Sequence, residues 1–147
     1  MIAMEATEIL KRHRLSLESL TEAAFQLYVG DAKGAALQKL KRDFQNLLAK
    51  HIEDPNVWLL LEAASHLDAI VKSEEKGIFA KDDDPASLVA DELIGMSIAE
   101  YIAGKKGLFN YARYDKAKPG VIAKLSPFMD DAVGALVAST MTKLFEE

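Results

Sequence analysis

The sequence predicts an all-α protein, a compact single-domain bundle of about six helices. Apolar residues recur every three or four positions, whereas the strict alternation typical of strands is rare. Capping residues followed by proline mark three helix starts, at Asp54-Pro55, Asp84-Pro85 and Ser126-Pro127. The chain has 147 residues, of which 50% are hydrophobic, so residues 1–147 have the size and composition of one globular domain.

Three helices are predicted in the N-terminal part of the chain. Residues 5–13 and 16–28 form two short helices, and Ser16 is the expected N-cap of the second. Asp31 is expected to cap a longer helix over residues 33–52. That helix carries a stripe of apolar residues, Leu37, Leu40, Phe44, Leu47 and Leu48.

Three further helices are predicted over residues 55–76, 85–103 and 127–145. Gly77 and Gly104 are expected to end the first two, because glycine readily adopts the left-handed conformation found after many helices. The segment between the last two helices is predicted to be a connection rather than another helix.

Composition excludes several classes of function. The net charge of −5 makes nucleic acid an unsuitable partner, since duplex binding depends on clustered lysine and arginine. There is no cysteine, which excludes disulfides, thiolate nucleophiles and zinc–thiolate sites. The N-terminus lacks the apolar run of a signal peptide, and the uncharged residues 132–142 are too few for a membrane span, which takes about 20. We expect a soluble, cytoplasmic protein with no integral membrane segment.

Two acidic pairs lie in stretches that otherwise consist of apolar residues. Asp91-Glu92 and Asp130-Asp131 are both predicted to be helical. Burial of an unpaired carboxylate costs several kcal/mol, on the order of 3–5, unless a cation or a donor compensates it. The second pair has an ordinary explanation as well, because the N-terminus of a helix favours negative charge. The two pairs together indicate a shared divalent cation, for which Mg²⁺ is the best candidate and Mn²⁺ the alternative.

Residues 105–120 are predicted to be a long, basic and aromatic loop, and loops of that length in compact domains usually have a function. Asp115, Lys118 and Arg113 place an acceptor and two cations in this loop. Cationic side chains beside a metal ion can hold phosphate oxygens and stabilise charge in the transition state. The ordinary alternative is a solvated basic loop.

The histidines offer weaker candidates. His13 and His51 are predicted to be at the surface, and Glu62 and His66 have the i, i+4 spacing of a hydrogen-bonded pair. The roles of Glu62, His66 and Asp68 stay open. Since the chain has no nucleophile elbow, P-loop or dinucleotide fingerprint, metal-dependent hydrolysis of a phosphate ester is the simplest chemistry for the residues present.

Three short motifs resemble those of the phosphatidylglycerophosphatase A family, in the same order. They are Asp91-Glu92-Leu93-Ile94-Gly95, Asp115 to Pro119 with its D-x-x-K-P pattern, and Met129-Asp130-Asp131. The matching region is residues 85–145, and an N-terminal helical region, residues 1–53, precedes it. The resemblance implies an all-helical phosphatase domain that depends on Mg²⁺ and removes a phosphate monoester.

The resemblance also implies roles for particular residues. Asp91, Glu92, Asp130 and Asp131 are expected to bind one or two metal ions. Asp115, Lys118 and Arg113 are expected to be catalytic, Arg113 being the nearest candidate for a family arginine whose position is occupied by Ala112. Whether water or an aspartate, Asp115 or Asp131, attacks the phosphate stays open.

The chain is most similar to a small soluble branch of the family, of which an archaeal subset acts as α-ribazole-5′-phosphate phosphatase in cobalamin biosynthesis. The expected substrate is therefore a small phosphorylated metabolite, with α-ribazole 5′-phosphate first and phosphatidylglycerophosphate second. The alternative from another class is a non-catalytic helical protein that self-associates or binds a partner through Trp58 and Leu60. Ligand acids should converge on one cleft, whereas the acids of such a protein should diverge into solvent; homo-oligomer formation stays open.

Overall fold

The fold is built around one central apolar helix. A computed structural model describes residues 2–73 and 89–146, and in these ranges the chain forms six α-helices, one 3₁₀ turn and no strand. The predicted all-α class with about six helices is confirmed. The elements are α1 (Ile2–Arg12), α2 (Leu17–Phe25), α3 (Gly34–Glu53), α4 (Pro55–Ser73), α5 (Ala90–Ala117), the 3₁₀ turn Gly120–Lys124 and α6 (Pro127–Leu144).

Helix α6 is the centre of the core. Every residue from 131 to 141 is buried, as expected for a helix that is apolar on all sides. Helices α2, α3, α4 and α5 pack around it. They contribute fully buried side chains such as Phe44 and Leu48 from α3, Leu61 from α4 and Ile98 from α5.

Ser16 and Asp54 act as N-caps as predicted, whereas Asp31 and Ser126 do not. The Ser16 side chain accepts the Ser19 N–H at 3.0 Å, and Asp54 Oδ1 accepts the Asn56 N–H at 2.9 Å. Asp31 does not cap α3, because the residue at the cap position is Lys33, two residues later. Of the apolar stripe of α3, Phe44 and Leu48 are fully buried in the core, whereas Leu37, Leu40 and Leu47 are half-buried.

The predicted loop over residues 105–120 is largely helical. Gly104 does interrupt α5, with φ 63° and ψ −149°, which is a conformation essentially limited to glycine. The helix resumes immediately and continues to Ala117. Its buried residues Gly107, Tyr111 and Tyr114 have the spacing of one helix face, and burial of that face explains why the segment is not a loop.

The interruption at Gly104 folds the second half of α5 back on the first. At Gly107 the two halves are so close that a β-carbon would lie 2.5 Å from the Ala99 carbonyl oxygen. The Tyr111 hydroxyl reaches Gly95, although in a straight helix these residues would be roughly 24 Å apart along the axis. The corner therefore brings the two ends of α5 to the same region of the molecule.

Two predicted boundaries, the helix end at Gly77 and the helix start at Asp84-Pro85, lie outside the described residues. Helix α4 begins at Pro55, as predicted, and is described as far as Ser73. None of the helices in residues 2–73 and 89–146 combines the length and apolar character needed to cross a membrane.

Candidate functional site

Asp68 from α4 holds the N-terminus of α6. The two oxygens of its buried carboxylate accept the N–H groups of Phe128 and Met129, each at 2.9 Å. Pro127 at the first helical position has no N–H, so this carboxylate provides the cap that was predicted from Ser126, whose side chain makes no capping bond. Burial raises the pKa of Asp68 despite these two donors. The first turn of α6, with its acidic pair, is thus fixed by α4.

Replacing Asp68 with alanine is expected to lower the free energy of unfolding by about 2–3 kcal/mol, because a helix cap is lost and buried amides lose their acceptor. Urea unfolding measures this loss. Asp54→Ala is the control: Asp54 caps the start of α4, its partners Asn56 and Tyr101 are both exposed, and its removal should cost about 1 kcal/mol or less. An equally small loss in both variants would contradict the role assigned to Asp68.

Asp115 and Lys118 lie at the C-terminal end of α5. Lys118 ends the helix and donates its N–H to the Tyr114 carbonyl oxygen at 2.7 Å. Its backbone is left-handed, φ 45° and ψ 61°, which is uncommon for a residue with a β-carbon, and Pro119 prevents the helix from continuing. This turn of the chain brings Lys118 Nζ to 3.1 Å from Asp115 Oδ1.

Asp115 meets Asp130 and Asp131 where the end of α5 faces the start of α6. One carboxylate oxygen from each of these three residues, the aspartate cluster, lies within 4.8 Å of the other two. Lys118 Nζ is 3.2 Å from Asp130 Oδ2 and 3.9 Å from Asp131 Oδ1. The structure therefore brings four of the predicted site residues together from two separate motifs.

The aspartate cluster is open to solvent on one side. Side-chain exposure is 39% for Lys118 and 30% for Asp115, which form the outer edge. It falls to 15% for Asp130 and 4% for Asp131. A molecule that enters from solvent therefore meets the lysine and Asp115 first, and Asp131 forms the inner wall.

Crowding of the three carboxylates favours a proton on one of them. Burial raises the pKa of Asp131 to about 11, helped by its hydrogen bonds with Asp115 and Asp130 and by their negative charges. Burial also acts to raise the pKa of Asp115, but hydrogen bonds from Asp131 and Lys118 lower that pKa overall. For Asp130, burial outweighs the same two partners and raises the pKa. A cation that binds among these carboxylates would take the place of that proton.

The other acidic pair, Asp91 and Glu92, lies in the first turn of α5. Asp91 is buried, and its Oδ1 accepts the Glu92 N–H at 2.9 Å. One turn later, at Gly95, α5 approaches α6 so closely that a β-carbon would lie 3.0 Å from the Asp131 carbonyl oxygen. The pair is thus one helical turn from the backbone of Asp131, outside the group of three carboxylates.

Tyr111 lies between the two acidic regions. A β-carbon at Gly95 would overlap the Tyr111 hydroxyl, so the phenol fills the space that the glycine leaves. The hydroxyl oxygen has no hydrogen-bond partner in the part of the chain that is described. Its pKa is raised by burial and, to a smaller extent, by the negative charges of Asp131, Asp115, Glu92 and Asp91.

Arg113 is directed away from the aspartate cluster. Its guanidinium donates to the Leu27 carbonyl oxygen at 3.0 Å and to Asn110 Oδ1 at 2.7 Å. The predicted phosphate-binding role assumed a loop, but in a helix residues two positions apart point about 200° apart, so Arg113 and Asp115 face different sides. Arg113 instead borders a separate cavity of about 400 Å³ that Tyr28 also lines.

His13 and His51 were predicted to lie at the surface, but both are partly buried and form hydrogen bonds to neighbouring helices. His13 shares a hydrogen bond with Ser65 and His51 with Thr140, both at 2.8 Å. Burial lowers the pKa of both imidazoles. These contacts are structural and connect α1 with α4 and α3 with α6.

The remaining candidates on α4 also have structural positions. Glu62 pairs with Arg12 instead of the predicted His66, which is exposed. Trp58 and Leu60, the predicted contact residues of a partner-binding protein, are half-buried against the core. Helix α4 is oriented so that Asp68 lies on its buried face, which leaves these other residues at the edge or on the outside of the helix.

The aspartate cluster has the ligand chemistry of a hard divalent cation. Mg²⁺ and Mn²⁺ prefer oxygen ligands, and three carboxylate oxygens lie within 4.8 Å of one another. The unsatisfied hydroxyl of Tyr111 adds a buried polar atom beside them. The residues present therefore fit Mg²⁺.

Two residues of this region, Asp68 and Tyr111, were not predicted as part of a site. Asp68 continues the buried stripe of Val57, Leu61 and Ala64, and an acid on an apolar stripe is a signal that it has a buried partner. The only comparable signal for Tyr111 is its spacing of four residues before Asp115 on one helix face. That signal disappears once the segment is taken to be a loop.

Residues 20–146 of the chain match the phosphatidylglycerophosphatase A family. An uncharacterized protein of Methanocaldococcus jannaschii, MJ1330, is 37% identical over 129 residues, which cover 85% of this chain and 99% of the relative. The overall similarity therefore extends well beyond the three short motifs.

Two solved bacterial structures are similar in fold. The low temperature requirement C protein from Listeria monocytogenes has a TM-score of 0.77, with 97% of this chain and 94% of the other covered. A protein of unknown function from Bacillus stearothermophilus has a TM-score of 0.78, with 98% and 97% covered. Each is 22% identical to this chain, so these likenesses concern the fold alone.

Proposed function

Because this chain belongs to the phosphatidylglycerophosphatase A family, a family of phosphatases, we propose that it hydrolyses a phosphate monoester with Mg²⁺ at the aspartate cluster. The observation that carries the proposal is the meeting of Asp115, Asp130 and Asp131 with the Lys118 ammonium at one solvent-accessible site. Three acids supply ligands for a cation, and the lysine supplies a positive charge for the phosphate.

Asp130 and Asp131 are the proposed inner ligands, since they are the more buried members of the aspartate cluster. Asp91 and Glu92 are proposed as ligands of a second ion or of its waters, because their charges act on the same Tyr111 hydroxyl as those of the cluster. A bound Mg²⁺ would supply charge neutralisation for the phosphate and make water a stronger nucleophile.

Lys118 is proposed to hold a non-bridging oxygen of the phosphate. Its ammonium lies at the outer edge of the site, and its flexible stem lets the charge move from Asp115 and Asp130 to an incoming phosphate. Asp115 keeps a lowered pKa and is thus ionised at neutral pH, which suits it to accept a proton from water or to attack phosphorus itself. Arg113 has no part in this proposal, since its guanidinium is bound to Leu27 and Asn110.

The proposed substrates are two monoesters with different leaving groups. α-Ribazole 5′-phosphate comes from the likeness to the small soluble branch of the family, and phosphatidylglycerophosphate corresponds to the family's description. Both present a terminal phosphate to Lys118 and the aspartate cluster. The two substrates differ in the leaving group that must lie beside the open edge of the site. It is a compact nucleoside in one and a lipid in a micelle in the other.

We expect release of inorganic phosphate from α-ribazole 5′-phosphate in the presence of Mg²⁺ or Mn²⁺, faster than from phosphatidylglycerophosphate in micelles, and no release with a chelator. A colorimetric phosphate assay over a panel of monoesters measures this. Asp115→Asn should abolish release, whereas Asp43→Asn, which alters an exposed pair with Lys39 on α3, should leave it unchanged.

Faster hydrolysis of the lipid would make phosphatidylglycerophosphate the substrate. Absence of phosphate release from every monoester with either ion would contradict the proposal and would favour a non-catalytic, partner-binding protein.

A further inference from the structure

The Tyr111 hydroxyl is buried without a protein partner. The residue is 5% exposed, and its oxygen makes no hydrogen bond to any described residue. A buried hydroxyl that gives up its bonds with water and gains none costs free energy, so such groups usually have a partner of some kind. Tyr114, one turn of chain away, shows the ordinary arrangement, because its hydroxyl donates to the Ala24 carbonyl oxygen at 2.7 Å.

The position of Tyr111 is fixed by close packing. Gly95 leaves room for the phenol, and any β-carbon there would overlap it. On the second half of α5, Tyr111 precedes Asp115 by four residues, so both side chains lie on the face that is directed toward α6. The hydroxyl therefore has little freedom to turn away and find another partner.

The surroundings of this hydroxyl favour its action as a hydrogen-bond donor. Burial and, to a smaller extent, the negative charges of four carboxylates raise the pKa of the phenol and keep it protonated. A phenol among anions is best placed to donate a hydrogen bond to an oxygen atom. The hydroxyl is buried beside Gly95, where α5 approaches the backbone of Asp131, so it lies toward the closed end of the site, where a water molecule fits better than an ester.

We propose that Tyr111 is a positioning residue of the cation site, whose hydroxyl donates a hydrogen bond to a water molecule that a bound divalent cation holds. This inference rests on the proposed function, because it requires the cation. The bond fixes the direction of that water relative to the aspartate cluster. Groups that orient the ligands of a metal in this way commonly alter metal affinity by about 10- to 100-fold when they are removed.

The test compares two variants that each lose one buried hydroxyl. Mn²⁺ binding is measured by isothermal titration calorimetry in the parent protein, in Tyr111→Phe and in Tyr114→Phe. Tyr111→Phe should bind Mn²⁺ about 10- to 100-fold more weakly, yet its cation-free form should be as stable as the parent or more stable, since an unsatisfied group is removed. Tyr114→Phe should show the reverse, with lower stability and unchanged Mn²⁺ affinity, because it loses the bond to Ala24.

A second measurement uses the parent chain, so that the test does not depend on the folding of Tyr111→Phe. Mg²⁺ should perturb the tyrosine absorption spectrum of both the parent and Tyr114→Phe. Equal Mn²⁺ affinity of the parent and Tyr111→Phe would overturn the role of Tyr111 and leave the cation site intact, as would an unperturbed spectrum in a parent that binds the ion. Failure of the parent to bind Mn²⁺ would overturn both the proposed site and this inference.

Discussion

Replacing Lys118 with alanine is expected to reduce kcat/KM for phosphate release by about 10²-fold or more. The ammonium lies among three carboxylates at the entrance of the site, where it can stabilise the charge that develops on the phosphate, and removal of one such stabiliser typically has this effect. Lys118 has a left-handed backbone, and alanine also has a β-carbon, so the substitution does not change the backbone strain at this position. Steady-state kinetics on the best monoester of the panel measures the loss.

Lys116→Ala is the matched control for this experiment. Lys116 is an exposed lysine in the last turn of α5, two residues from Lys118, and its removal changes the net charge equally. It should retain the activity of the parent. If Lys118→Ala were as active as Lys116→Ala, Lys118 would have no role in transition-state stabilisation.

The second large effect is expected in the stabilisation of the protein by metal, which should depend on Asp131. Mg²⁺ or Mn²⁺ at about 100-fold above its Kd should stabilise the parent by roughly 2.7 kcal/mol, because it binds the native chain and not the unfolded one. For a chain of this size that corresponds to a rise in Tm of roughly 5–10 °C. Asp131→Asn should lose most of this rise, since the amide removes one of the proposed anionic ligands. Differential scanning calorimetry with and without the ion measures both values.

The same variant should be well tolerated when no ion is present. Burial and two acidic neighbours raise the pKa of Asp131, so the loss of its negative charge relieves repulsion within the aspartate cluster. Asp43→Asn again serves as the control and should keep the full rise in Tm. A metal-induced rise in Asp131→Asn equal to that of the parent would show that Asp131 is not a ligand.

The part of the fold that the sequence predicted depends on local signals. Pro127 after Ser126 marks the start of α6 correctly, and Ser16 caps α2 because serine at that position satisfies its own helix. The cap on α6 was assigned to the wrong residue because it comes from a different helix. The carboxylate that provides it, Asp68, is 60 positions away in sequence, and no local pattern reports such a contact.

The site was predicted only in part, because the sequence did not indicate that α5 continues past Gly104. Gly104 was expected to end a helix, and it does interrupt one, but a single glycine can also serve as a corner between two helical segments. The acidic motifs nevertheless predicted that Asp115 lies with Asp130 and Asp131. These residues do meet, because they lie at helix ends that face each other. Arg113 was assigned to the site because it lies near Asp115 in sequence and is the nearest candidate for a family arginine, but the helical phase places it on another face.

The corner at Gly104 also determines when the parts of this site come together during folding. Contacts between the two halves of α5, such as Gly107 with Ala99, close a short segment of chain and carry a low entropic cost, so this hairpin can form early. Asp68 and α6 must join across a far longer separation. The aspartate cluster is thus complete only after α6 docks, and an ion that binds it stabilises the native state without assisting the earlier steps. We therefore expect bound metal to slow unfolding while leaving the rate of folding nearly unchanged.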